Sequence, residues 1–338
     1  MAELKQGVVS SFHRLSDELA ILRLVPEDGG RFPSYKPGQY IALRRDGCRL
    51  TKRVVDEAGR PRYLYDLDES GRPRTGPVTH SYSIASAPFE TERDGHLEFY
   101  VVLERGDREG PPGRLTESLF RIEAGRGERV AYHDRIAGDF TLDKRAAGRR
   151  HVLMVGTGTG VAPFVSMVKQ LHHEAVRGGA APARYTLIHA NRTREELAYH
   201  EDLARAAASE HLDLVYVGSV SRPRPGGSPR GTGTGRANNL LRHVFGMPLK
   251  EEEHLAAVRG RGGDAGAAEA TLARTVPPRL PEDVDPRRLR ERLDPAHTVV
   301  LTCGNPESMA DVGTIAGKLG MRFEKEDWKP SGAAARTT

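Results

Sequence analysis

A glycine-rich segment has the residue types and spacing to bind the pyrophosphate of a dinucleotide: Gly156-Thr157-Gly158-Thr159-Gly160. It follows the apolar run 151–155 and precedes the helical spacing of 161–176. Glycines let backbone amides approach a phosphate closely, and the start of a helix favours negative charge. No Gly-Lys-Ser/Thr follows, which excludes a Walker A loop. The same five letters recur at 231–235 without an apolar strand before them, and there we expect a flexible loop.

Three further segments carry side chains suited to a cofactor. His80-Ser81-Tyr82-Ser83 alternates an aromatic residue with hydroxyls, which suits either an ordinary half-buried strand or a planar aromatic ligand held by stacking and hydrogen bonds. Gly113-Arg114-Leu115-Thr116 offers a second anion site at the start of a short predicted helix. Cys303-Gly304-Asn305 directly follows a predicted strand. A lone buried cysteine is ordinarily a small hydrophobe, but ligands bind at the carboxyl ends of parallel strands.

Two kinds of element must position these segments. Residues 1–145 show many short β-prone runs punctuated by Gly and Pro, which favours an antiparallel barrel or sandwich, with an inserted hairpin at about 49–78. Residues 150–328 alternate strands and helices, which predicts βαβ units and a parallel sheet. The polar stretch at about 250–285 is predicted as a loop with one short helix, and 329–338 as a disordered tail.

Composition narrows the class of protein. A chain of 338 residues with 38% hydrophobic and 29% charged residues suits two globular domains. No stretch approaches the roughly 18 uninterrupted apolar residues of a membrane span. The first residues lack the apolar core of a secretory signal, so we expect a cytoplasmic protein. Two cysteines, Cys48 and Cys303, exclude a disulfide framework, a four-cysteine zinc site and a chain-borne iron–sulfur cluster, and no metal site is predicted.

The charge balance leaves several partners open. Arginine far outnumbers lysine, and the net charge is +5, which suits nucleic acid, acidic lipid, an anionic cofactor or an acidic protein. Arginine richness also follows from genomic base composition alone. No aromatic residue lies within the arginine-bearing stretch 250–285, so stacking on bases has no basis there and nucleic acid is not predicted.

Five motifs occur in an order that resembles the ferredoxin–NADP⁺ reductase family, particularly its bacterial members. They are PGQY (37–40), YSIAS (82–86), GRLT (113–116), GTGTGVAPF (156–164) and CGNPESM (303–309). The likeness covers most of 5–328, apart from 49–78 and 250–285. It implies a six-stranded antiparallel Greek-key barrel that binds FAD, followed by a Rossmann-like α/β domain with a parallel sheet that binds NADP(H).

The resemblance also implies roles for single residues. For FAD these are His80, Ser81, Tyr82, Ser83, Arg114, Leu115, Thr116, Thr159 and Trp328, with Ser83 near flavin N5 and Trp328 stacked on the flavin. For NADP they are Gly156, Thr157, Gly158, Thr159, Gly160, Asn191, Arg192, Ser221, Arg222, Arg236, Cys303, Gly304 and Asn305. The catalytic set is Ser83, Cys303, Glu326 and Trp328, with Glu324 as the alternative acid. His80 stands where the family usually has an arginine, a stronger partner for phosphate.

The activity implied is hydride exchange between NADP(H) and FAD, coupled to single-electron exchange with an acidic carrier, ferredoxin or flavodoxin. Two alternatives stay open at this point. One is an NAD(P)H-dependent flavin reductase component of an oxygenase system. The other is a basic binding module with a vestigial nucleotide site. A flavin absorption spectrum distinguishes the two enzyme hypotheses from the binding-module hypothesis.

Overall fold

The computed structural model describes residues 3–56, 59–105, 110–123, 125–179, 181–224 and 231–326. The chain divides into two compact units between Asp139 and Phe140. We call the residues up to Asp139 the barrel unit and Phe140–Glu326 the sheet unit. Within the described ranges, no helix has the length and apolar character needed to cross a bilayer.

The barrel unit is built from antiparallel strands. Its elements are β1 (Leu4–Arg14), β2 (Leu19–Pro26), β3 (Tyr40–Arg49), β4 (Thr51–Val55), β5 (Pro61–Tyr65), β6 (Thr75–Ser83), α1 (Pro88–Asp94), β7 (Leu97–Val102), α2 (Arg114–Phe120) and β8 (Arg129–Ala137). Six strands form one sheet in the order β6-β3-β8-β1-β2-β7. Just beyond β6, the Ala85 N–H donates to the Glu98 carbonyl on β7 at 2.8 Å, so the two end strands curl towards each other. The prediction of a six-stranded antiparallel barrel is confirmed.

A separate two-stranded hairpin interrupts the barrel between β3 and β6. Strands β4 and β5 pair antiparallel with each other only. Its base is held by Leu50, whose N–H donates to the Arg74 carbonyl at 2.8 Å and whose carbonyl accepts from Asp66 N at 2.9 Å. Several apolar side chains on the hairpin are exposed: Val55, Tyr63, Leu64 and Leu67. They add little to the barrel core, which forms inside the six-stranded sheet.

The sheet unit alternates strands and helices. Its elements are α3 (Leu142–Arg145), β9 (His151–Thr157), α4 (Ala162–Val176), β10 (Arg184–Asn191), α5 (His200–Ala207), β11 (Leu214–Val220), β12 (Gly233–Thr234), α6 (Ala237–Val244), α7 (Lys250–Gly260), α8 (Gly266–Ala273), α9 (Pro286–Arg292), β13 (Thr298–Cys303), α10 (Pro306–Leu319) and β14 (Arg322–Lys325). The strand order is β12-β11-β10-β9-β13-β14, with every pairing parallel. The central strands are buried almost throughout, as expected when helices cover both faces. The prediction of a parallel Rossmann-like sheet is confirmed.

The prediction that 250–285 is a loop with one short helix is wrong. The stretch contains two helices, α7 and α8, although few of their side chains are apolar and buried. Good helix formers fill α7, three glutamates occupy its first turn, and the Leu249 N–H donates to the Glu252 carboxylate at 2.7 Å. Buried polar contacts with α6, rather than an apolar stripe, dock the helix, so periodicity gave no signal.

The prediction that 231–235 is a flexible loop is also wrong. Gly233–Thr234 forms the short edge strand β12, which pairs with β11 on one side. On its other side the chain returns after α8: the Thr234 N–H donates to the Arg279 carbonyl at 2.8 Å, and Arg279 N donates back at 3.0 Å. Gly235 has φ +102°, and a Cβ there would lie 2.9 Å from Pro278 Cα. The glycines are required by this close approach of a segment distant in sequence.

Candidate functional site

The end of β6 presents a buried hydroxyl. Ser83 Oγ is buried and has no hydrogen-bond partner among the described residues. A buried hydroxyl without a partner is costly unless a ligand or water satisfies it. The neighbouring Tyr82 meets Phe99 edge-on at 6.4 Å between ring centroids, and burial raises the pKa of its phenol. This strand end therefore has the groups to hold a flat polar ligand.

Charged groups gather around His80 on the same strand. Burial lowers the pKa of His80, the Glu104 carboxylate opposes that shift, and the Arg114 guanidinium adds to it. Thr116 Oγ1 donates to the Gly113 carbonyl at 3.1 Å and accepts from Glu104 N at 3.3 Å. Glu104, an acid beside two groups predicted to bind phosphate, is not among the residues predicted from the sequence. No motif marks it, because its position follows from the return of the chain after β7.

Leu115 and Ser81 have different surroundings from their neighbours. The Leu115 side chain is buried in the barrel core, so only its backbone is available to a cofactor. Ser81 pairs with Ala42 on β3 and is half-buried.

In the sheet unit, the glycine-rich segment and the segment after β13 lie side by side. Gly156 and Cys303 are register partners on adjacent parallel strands. The Asn305 N–H donates to Thr157 Oγ1 at 2.8 Å. Gly304 has φ +128°, and a Cβ there would overlap the Thr157 hydroxyl. The two loops thus pack backbone against backbone, with no room for larger residues.

This pair of loops occupies the topological switch point of the sheet. From β9 the chain runs outward to β10, β11 and β12, and then crosses to β13 on the other side. Loops leaving adjacent strands in opposite directions open a crevice, where open parallel sheets bind their ligands. Gly158, Thr159 and Gly160 form a 3₁₀ turn in this crevice, directly before α4.

The two candidate acids, Glu324 and Glu326, lie at different positions relative to β14. Glu324, on β14, accepts from Arg145 and from Arg322, each at 2.9 Å. Glu326 directly follows β14, is buried, and its N–H donates to the Thr302 carbonyl at 3.0 Å. Two guanidinium groups hold Glu324, which pairs with Leu301 inside the sheet. Glu326 comes after Lys325, the register partner of Thr302, and is therefore the better placed acid at the carboxyl edge. Cys303 is fully buried at the end of β13, while the predicted Trp328 lies outside the described residues.

The polar residues predicted from the second half of the chain come together at the same edge. Asn191 ends β10, and Ser221 and Arg222 follow β11, with Ser221 N donating to the Asn191 carbonyl at 2.9 Å. Arg222 N donates to the Arg192 carbonyl at 2.8 Å. Arg236 follows β12, the next strand. Residues far apart in sequence therefore form a row along three neighbouring strand ends.

Two arginines in this row are paired with glutamates that the sequence analysis missed. Arg192 makes a bidentate ion pair with the buried Glu196, at 3.0 Å from Nε and 2.7 Å from a terminal nitrogen. Arg236 lies 3.5 Å from Glu251, which is also buried. Arg222, like Arg236, is exposed. The Arg192 pair has a local signal, an i,i+4 spacing, whereas the Arg236 pair has none.

Comparisons with known proteins show which proteins this chain resembles in sequence. A family model described as an oxidoreductase NAD-binding domain matches residues 154–262. Ferredoxin–NADP reductase A of Sorangium cellulosum is 29% identical over 240 residues, 71% of this chain and 66% of that protein. A flavohemoprotein of Halalkalibacterium halodurans is 28% identical over 225 residues, 66% of this chain and 45% of that protein. The chain thus spans between about half and two thirds of these relatives.

A solved structure matches over nearly the whole chain. It is a ferredoxin NADP⁺ reductase from Neisseria gonorrhoeae with bound FAD and NADP, at a TM-score of 0.56 and 19% identity, covering 96% of this chain and 99% of that one. The chain is therefore similar in sequence to ferredoxin–NADP reductases and flavohemoproteins, and it shares its fold with a solved ferredoxin NADP⁺ reductase. The relatives named above include both ferredoxin–NADP reductases and flavohemoproteins, so the similarity leaves the electron partner open.

The candidate residues fall into a barrel group and a sheet group. The barrel group comprises His80, Ser81, Tyr82, Ser83, Arg114, Leu115 and Thr116. The sheet group lies along the carboxyl edge from β12 to β14. Within the described ranges, no cluster of three or more His, Cys, Asp or Glu side chains could hold a metal ion.

Proposed function

We propose that this chain is a FAD-dependent reductase that moves electrons between NADP(H) and a one-electron carrier, ferredoxin or flavodoxin. The observation that carries the proposal is the carboxyl edge of the sheet unit. There the glycine-rich loop sits at the switch point, and arginines follow three consecutive strands on one side of it. Such an edge suits a dinucleotide with an additional phosphate.

The barrel group fits FAD. Ser83 has a buried hydroxyl without a hydrogen-bond partner among the described residues, Tyr82 offers a ring face, and Arg114 and Thr116 offer a guanidinium and a hydroxyl to phosphates. Bound FAD would supply the conversion of one hydride into two single electrons. The residues of this chain would bind the cofactor, orient it and keep its reactive ring away from bulk water.

The sheet group fits NADPH. The backbone of Gly156–Gly160 would bind the pyrophosphate, with Thr157 and Thr159 beside it. Asn191 and Arg192 would contact the adenosine part. Ser221, Arg222 and Arg236 would bind the 2′-phosphate, because a guanidinium pairs bidentately with a phosphate dianion. Cys303, Gly304, Asn305 and Glu326 would line the nicotinamide end.

Spectroscopy and steady-state kinetics test this proposal. We expect the purified chain, reconstituted with FAD, to show flavin absorbance and to reduce a one-electron dye much faster with NADPH than with NADH. Equal rates with both nucleotides would remove the NADP assignment. If no flavin is bound after reconstitution, the flavoenzyme assignment would be overturned and a binding module favoured.

The carrier is proposed from charge. A net charge of +5 suits an acidic partner, and attraction between opposite charges accelerates association at low salt. With ferredoxin and flavodoxin as acceptors, we expect the rate to fall as ionic strength rises. A rate that does not depend on salt for either carrier would contradict an acidic partner.

A second candidate function is the reductase component of an oxygenase or haem protein. The match to a flavohemoprotein favours it, since this chain covers 45% of that protein. In that case, electron transfer to ferredoxin and flavodoxin would be slow at every salt concentration, while the dye would still be reduced.

A further inference from the structure

The segment inserted between α6 and β13 approaches Arg236 from two sides. We call residues 250–281 the inserted segment. At its start, Glu251 in the first turn of α7 places Oε1 at 3.5 Å from a terminal nitrogen of Arg236. At its end, Arg279 pairs with Thr234, two residues before Arg236. The inserted segment therefore determines the surroundings of Arg236, one of the arginines at the strand ends.

Glu251 is held in place by residues other than Arg236. Its side chain is 6% exposed, and Oε2 accepts from Asn239 Nδ2 at 2.7 Å. The same Asn239 accepts the Lys250 N–H at 3.1 Å, so one buried amide contacts both the backbone and a side chain of the first turn. Glu253 adds a 3.0 Å ion pair to the buried Arg242 on α6. The carboxylate of Glu251 thus has a fixed position, independent of Arg236.

Arg236 is held much less tightly than its partner. Its side chain is 61% exposed, and the 3.5 Å separation from Glu251 exceeds the usual length of a hydrogen bond. The interaction is mainly the attraction of opposite charges. A phosphate dianion that binds the exposed edge of the guanidinium would meet a positive charge already partly compensated by the buried carboxylate behind it.

We propose that Glu251 determines how strongly this chain selects nucleotides that carry a 2′-phosphate, by reducing the positive charge that Arg236 offers. This inference rests on the proposed function, in which Arg236 binds that phosphate. Glu251 is a positioning residue, because it acts through Arg236 and does not touch the nucleotide. The inserted segment then serves to set cosubstrate selectivity.

Glu251→Gln tests the proposal, because the amide keeps the size of the side chain and can still accept from Asn239 while the charge is lost. We would measure binding of adenosine 2′,5′-bisphosphate and of AMP to the full chain by titration calorimetry. The bisphosphate should bind about three- to tenfold more tightly to the variant, with AMP unchanged. The matched control is Glu252→Gln, which removes the same charge from an exposed neighbour on the same turn and should change neither affinity.

A double-mutant cycle tests whether the effect passes through Arg236. In an Arg236→Ala background, Glu251→Gln should change bisphosphate affinity by less than about twofold. An equal gain in both backgrounds would overturn the positioning role. Glu251→Asp, which withdraws the carboxylate by one methylene, should give a smaller gain in the same direction, and it keeps the test open if the glutamine variant folds poorly. Melting temperatures of all variants report on folding.

Different results would overturn the NADP assignment and the role of Glu251. If the wild-type chain binds the bisphosphate no better than AMP, the NADP assignment is overturned and this inference with it. If the wild-type chain discriminates and Glu251→Gln leaves the ratio of affinities unchanged, only the role of Glu251 is overturned.

Discussion

Arg242 on α6 and Asp311 on α10 form a bidentate ion pair in the interior of the sheet unit, at 2.8 and 2.5 Å. Arg242 is only 1% exposed. Its remaining donors bind the Pro248 carbonyl at 2.8 Å and Glu253 at 3.0 Å, which connects the pair to the start of the inserted segment. Burial raises the pKa of Asp311, but hydrogen bonds from Arg242 and Asn238 outweigh it and hold that pKa below its ordinary value.

Removing Asp311 should therefore destabilise the sheet unit strongly. Asp311→Ala leaves a buried guanidinium without its main partner, and we expect a loss of about 3–5 kcal/mol in the free energy of unfolding. Because the pKa is depressed, the stabilisation is present above the ordinary carboxyl pKa and is lost as pH falls through the folded value. Denaturant titration measures it. Glu253→Gln, at the more exposed end of the network, should cost about 1 kcal/mol or less, and equal losses would contradict this account.

Gly304→Ala should damage the nucleotide site. The added methyl group would overlap Thr157 Oγ1, at a backbone conformation that only glycine adopts readily. We expect NADPH affinity to fall by about tenfold or more, measured by direct titration. The matched control is Gly317→Ala on α10, where a Cβ meets nothing within 4 Å and helix propensity favours alanine. Unchanged affinity in the Gly304 variant would separate this loop from the nucleotide.

His80→Arg should tighten the retention of FAD. Partial desolvation lowers the pKa of His80, which favours the neutral imidazole, a weaker partner for phosphate than a guanidinium. In the wild-type chain, retention should improve as pH falls through that lowered pKa, whereas in the variant it should depend little on pH. Flavin remaining after gel filtration at several pH values measures this. Equal retention by both proteins would show that His80 does not contact the phosphates.

His189 should make the sheet unit sensitive to acid. His189 is a buried residue of β10, its Nδ1 lies 3.2 Å from the hydroxyl of Tyr216 on β11, and burial with nearby His200 lowers its pKa to about 3. A histidine with a lowered folded pKa stabilises the fold above the unfolded value of about 6.5, and this is lost as pH falls towards 3.

The measurement is unfolding free energy at pH 7, 6 and 5. Below the unfolded pKa, His189 should contribute a slope of about 1.4 kcal/mol per pH unit, which His189→Gln removes. Parallel pH profiles for the two proteins would contradict the prediction, whatever the difference in absolute stability.

Local sequence patterns predicted a large part of the fold and of the candidate site. An apolar run followed by glycines and a helix is a short-range signal, and Gly156–Gly160 lies where that signal predicts, at the end of β9. Alternation of Tyr82 and Ser83 likewise predicted a strand, because side-chain direction along a strand depends only on neighbours. The resemblance of five ordered motifs then related the two halves to one family.

Contacts between residues distant in sequence determined the remaining parts of the fold and of the candidate site. The repeat at 231–235 became an edge strand because Arg279 pairs with it, and α7 docked through Asn239 and Arg242 rather than through an apolar face. Glu326 differs from Glu324 by its place at the carboxyl edge, after the register partner of Thr302. The sequence by itself determined most of the elements and the chemistry they carry, but not α7, α8 or β12. Which charges are compensated was determined by tertiary structure alone, because ion pairing depends on distances in space that no local period encodes.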